Sequence, residues 1–102
     1  MKVQTIYGRV SSDGSIHTGT GFTATKLSAG HYKISFPVAF KQPPAVVATQ
    51  NNYHAFDANQ KTIDNVIVGG IKTNECRIKT GNSLGNVEDR EFAFIAIGAQ
   101  DS

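Results

Sequence analysis

Few residues in this sequence have the type and spacing that chemistry requires. His17, His31 and His54 lie in separate segments, and no two of them form the His-x-His or His-x-x-x-His spacing that brings two imidazoles to one metal ion. Asp57-Ala58-Asn59-Gln60-Lys61 opens like a calcium loop, but Lys61 stands at a ligand position and the turn glycine is missing. Gly19-Thr20-Gly21 lacks the third glycine and the following helix of a dinucleotide-binding turn, so it reads as the approach to a strand. The single cysteine, Cys76, excludes an internal disulfide and cannot hold zinc alone. Its flanks alternate polar and apolar residues, which points its thiol into a core as a small hydrophobe. No Gly-x-Ser-x-Gly elbow occurs. No nucleophile, base and orienting group can be assembled from these parts. The expectation is a protein that is not an enzyme and uses no cofactor and no metal.

One segment is chemically richer. Between Gln50 and Thr62 the chain carries Asn51, Asn52, Tyr53, His54, Phe56, Asp57 and Asn59 in a stretch too long for a tight hairpin. Planar rings fit the C–H face of a pyranose, while amides and carboxylates pair with adjacent hydroxyls. These residues are therefore the candidate ligand site, with Asn82, Asn86 and Asp89 as candidate neighbours. The alternative for Tyr53 and Phe56 is that they cap one end of the fold or pack across a subunit interface.

The elements that would position such a segment are strands. The 102 residues fit one domain, and their 9 Ile, 8 Val and 9 Thr stand against only 2 Leu. Stiff β-branched side chains suit a pleated surface, whereas helices favour Leu, Ala and Glu. Strands are expected near Val3–Val10, Gly21–Leu27, His31–Phe36, Ala45–Asn51, Asn65–Ile71, Glu75–Thr80 and Glu91–Gly98, with a short extra one around Ser15–Thr18. Asp13-Gly14 and Ala29-Gly30 have the chemistry of hairpin turns. The fold class is all-β: a small antiparallel sandwich of about six to eight strands. Only 18% of residues are charged and the formal net charge is +2, too slight an excess for a dedicated nucleic-acid binder. No signal peptide is visible and no apolar run approaches a membrane-inserting span.

Individual strands differ in how much cover they need. In His31–Phe36 one side is apolar and the other wet. The closing strand is apolar on both sides: Phe92, Phe94 and Ala96 on one, Ala93, Ile95 and Ile97 on the other. A two-layer fold covers one side. The second is expected to lie against another subunit, which makes Phe92, Phe94, Ile95 and Ile97 candidate interface residues of a homo-oligomer. A central strand under a long loop is the alternative.

Four segments carry a resemblance. They are Gly19-Thr20-Gly21-Phe22-Thr23-Ala24, Gly30 to Phe36, Phe40-Lys41-Gln42-Pro43-Pro44-Ala45-Val46-Val47 and the ending Asp89 to Gly98. Together they resemble small β-sandwich modules of bacterial secreted and phage tail-fibre proteins. More distantly, the Phe-x-x-Pro-Pro-x-Val element and the final strand are similar to H-type lectins. That resemblance implies an H-type-lectin-like sandwich, assembly as a trimer, glycan or polysaccharide as the ligand, and an extracellular or virion-associated setting. No sugar-binding residue is carried over from it. Multivalent weak glycan binding is thus the expected function, with a structural trimerisation or capping module of a fibre as the alternative.

Overall fold

The computed structural model describes residues 2–51 and 65–100 of the chain. They form eight strands: β1 (Lys2–Val10), β2 (Ile16–Gly19), β3 (Thr23–Ser28), β4 (His31–Ser35), β5 (Ala45–Gln50), β6 (Val66–Gly69), β7 (Glu75–Thr80) and β8 (Phe92–Gln100). Two four-stranded sheets result, one ordered β2-β1-β8-β5 and the other β3-β4-β7-β6, with every pair antiparallel. The fold is the small all-β sandwich expected from composition and alternation. Each expected strand is present, its limits moved by at most two residues. Glycine explains two of those shifts: Gly21 (φ 85°) delays β3 to Thr23, and Gly70 (φ 56°) ends β6 at Gly69.

The hairpin turns lie where Asp13-Gly14 and Ala29-Gly30 place them, with Gly14 at φ 92° and Gly30 at φ 64°. Between the sheets, Ile6, Val10, Phe92, Phe94 and Ala96 from one meet Tyr32, Ile34, Cys76 and Ile78 from the other. Phe22, from the β2–β3 connection, lies in edge-to-face contact with Phe94 at 4.8 Å. Phe36 and Phe40 are buried and meet edge to face at 5.2 Å, just ahead of the prolines. Pro43 and Pro44 offer no amide donor, and β5 starts directly after them as an edge strand. Cys76 is fully buried, and burial pushes its thiol up to about 11, far from a reactive thiolate.

Candidate functional site

The strand topology gathers residues 11–15, 29–30 and 81–91 at one end of the sandwich, together with Asn51 and Asn65. Of the expected ligand residues, Asn51 is described; it is half-buried at the end of β5, where its amide donates to the Glu91 carbonyl at 3.1 Å. Asn52, Tyr53, His54, Phe56, Asp57 and Asn59 lie outside the described residues. The described residues on either side of that segment form a bonded base. Gln50 Nε2 donates to the carbonyl of Asn65 at 2.7 Å and to that of Gly81 at 2.6 Å. One carboxamide thereby ties the edge strands of both sheets and the β7–β8 connection together.

Asn82 and Asn86 stand beside that base, as expected. The Asn82 side chain is spent on its own turn: Oδ1 accepts from the amides of Leu84 at 2.9 Å and Asn86 at 3.1 Å, and Nδ2 donates to Glu88 Oε1 at 3.1 Å. Asp89 is likewise engaged. It pairs with Lys26 and accepts the Gly30 amide at 2.7 Å, which clamps the β7–β8 connection onto the β3–β4 hairpin. The Lys26 ammonium and the Gly30 amide hold its carboxyl below the usual carboxylate value. Buried Tyr32 closes the same end, its hydroxyl donating to the Ser12 carbonyl at 2.7 Å.

The Asp89 clamp has a testable pH signature. A lowered folded pKa means its stabilisation is complete above the unfolded value near 3.8 and is lost as pH falls through the folded value. Asp89→Asn should therefore melt lower than wild type at neutral pH. Thermal melts in steps from about pH 6 to about pH 2 should show the two proteins converging at the acid end. Parallel curves would remove Asp89 from the clamp.

A second feature lies on the outer face of the β2-β1-β8-β5 sheet. Register places Tyr7, Ile95 and Val47 in one row across β1, β8 and β5, with Thr5, Ile97 and Ala45 in the next. Arg9, Ala93 and Thr49 form the row on the other side. Ile95 and Ile97 are 47% and 45% exposed, Val3 57%, Tyr7 61% and Val47 65%. No described residue covers this face. The expected interface set thus divides. Phe92 and Phe94, at 0% and 2% exposure, are core residues and are withdrawn from it, because alternation turns them to the opposite side of β8. Ile95 and Ile97 remain available. Tyr7, Val47 and Val3 join them, residues whose shared face depends on strand order that sequence does not reveal.

The outer face of the other sheet is mainly polar instead. Its outer rows carry His31, Lys33, Ser35, Glu75, Arg77 and Lys79, with Arg77 Nε donating to Glu75 Oε2 at 3.4 Å. The molecule therefore has one mainly polar flank, with exposed Ile67 beside Lys79, and one mainly apolar flank, with Arg9 at its margin. No family model, curated protein or solved structure matches the chain.

Proposed function

We propose that the chain is a non-enzymatic, self-associating carbohydrate-binding module, lectin-like in its use of several weak sites. The observation that carries the proposal is the apolar outer face of β1, β8 and β5, which costs solubility unless copies of the protein cover it. Association places the ends that bear the 51–65 connection on one particle. Binding too weak to matter singly then gains through effective concentration. Tyr53, His54 and Phe56 with their neighbouring amides supply rings and paired hydrogen-bond groups suited to sugar hydroxyls. An extracellular or virion-borne setting belongs to this reading.

A glycan array probed with concentrated protein should return signals that free sugar inhibits and that Tyr53→Ala with Phe56→Ala removes. A blank array would reject the carbohydrate half and leave self-association standing. A structural trimerisation or capping role is the second reading. It is favoured by Asn82 and Asp89, which spend their side chains on internal bonds at the candidate end.

A further inference from the structure

The outer face of the β2-β1-β8-β5 sheet is uneven, and its relief indicates what covers it. On the β5 side, Val47, Thr49, Ala93 and Ile95, with Ala48 and Phe94 between them along β5 and β8, border a shallow apolar hollow of about 190 Å³ that opens to solvent. It exists because Ala93 is small where its neighbours across and along the strands are larger. On the β1 side of the same face, Tyr7 projects in the row of Ile95 and Val47. One face thus carries both a projecting ring and a shallow apolar hollow, on opposite sides of β8.

That arrangement suits a two-fold contact, in which the same patch serves both partners. A two-fold axis along β8, in the plane between two facing sheets, carries β1 of each copy over β5 of the other. The position along the strand is preserved, so each Tyr7 comes to lie over its partner's hollow. We propose that a second copy of this chain packs face to face on this sheet, with Tyr7 of each copy seated between Val47 and Ala93 of the other. This rests on the self-association half of the proposed function and assigns it a pair rather than a trimer, since a flat face covering itself closes after two copies.

The size of the face sets the character of the contact. Three strands about 4.8 Å apart, and β8 at about 3.4 Å per residue over its length, give a footprint of about 14 by 30 Å. That is roughly 400 Å² per copy, against roughly 800 Å² in an interface of standard size. The pair is therefore reversible and concentration-dependent. The opposite flank cannot substitute for it, because packing two such sheets would face Lys33, Arg77 and Lys79 against their own copies.

Two variants test the contact. Tyr7→Ala should weaken association about tenfold or more in sedimentation equilibrium. Its melting temperature should fall below wild type chiefly at high concentration, where the wild-type pair is populated, and by little on dilution, because Tyr7 is exposed in the single chain. Ile95 lies near the proposed axis, so Ile95→Cys should be joined into a pair by a short bis-maleimide, which spans the roughly 10 Å between facing sheets. Buried Cys76 stays inert as an internal control. An oligomer indifferent to Tyr7→Ala, or a particle of three chains, would overturn the face-to-face pair while leaving multivalent binding intact. A particle of 10.9 kDa at every concentration would overturn both.

Discussion

Phe92→Ala lowers the unfolding free energy by about 3–5 kcal/mol, the range for removing a buried aromatic ring. Phe92 is fully buried and packs against Tyr32 with ring centroids 5.1 Å apart. β8 is an inner strand of its sheet, bonded to β1 on one side and β5 on the other, so the surroundings collapse little around the void. Loss of the ring also removes the wall against which Tyr32 is held while its hydroxyl donates to Ser12. Domains of this length are stable by about 5–15 kcal/mol, so the variant loses a large share of its margin. Three residues along the strand, Ile95→Ala should cost the dilute single chain only about 1 kcal/mol, since its side chain points outward and loses cross-strand contact with Tyr7 and Val47 rather than core packing. Urea titrations of the two variants check the contrast. Equal losses would mean that the two faces of β8 are not the inside and outside described above.

Gly8→Ala should cost about 2–4 kcal/mol, although it adds a single methyl group. A Cβ at Gly8 would lie 2.3 Å from Cζ and 2.4 Å from Cε1 of Phe22, and 2.8 Å from the carbonyl oxygen of Thr18. The carbonyl belongs to the paired strand β2 and the ring is wedged against Phe94, so neither yields easily. The ring must leave its site and take buried apolar area with it. Gly69→Ala is the control, because a Cβ there meets nothing within 4 Å. Combining Gly8→Ala with Phe22→Leu should recover at least about 1 kcal/mol relative to additivity, as expected of residues in contact. Strict additivity would show that ring packing does not set the cost.

The strands were legible because alternation and β-branched content act locally: Tyr32, Ile34 and Phe36 announce one buried side without knowledge of any partner. The double apolarity of Phe92 to Ile97 was legible for the same reason. Which side faces the core was not, since that depends on the phase between β8 and the strands beside it. The addition of Tyr7 and Val47 to the exposed face follows from the Tyr7–Ile95–Val47 register, a property of pairing between distant segments. Gly8 signals only that a strand interior has given up a side chain; that the ring of Phe22 occupies the space needs the tertiary structure. Lys26 and Asp89 carry no local mark of their pairing either. At the end that carries Asn51 and Asn65, the polar groups of Asn82 and Asp89 mark them as ligand candidates in the sequence, but those groups hold the β7–β8 connection itself.

Sedimentation equilibrium of the wild-type chain beside Val47→Glu, over a hundredfold range of concentration, is the most direct test that the apolar face is an interface between copies. Wild type should rise from 10.9 kDa toward about 22 kDa with concentration, while the glutamate variant stays at 10.9 kDa with an unchanged fold. If the wild-type protein remains a single chain throughout, or if Val47→Glu associates as well as wild type does, sister copies do not cover this face.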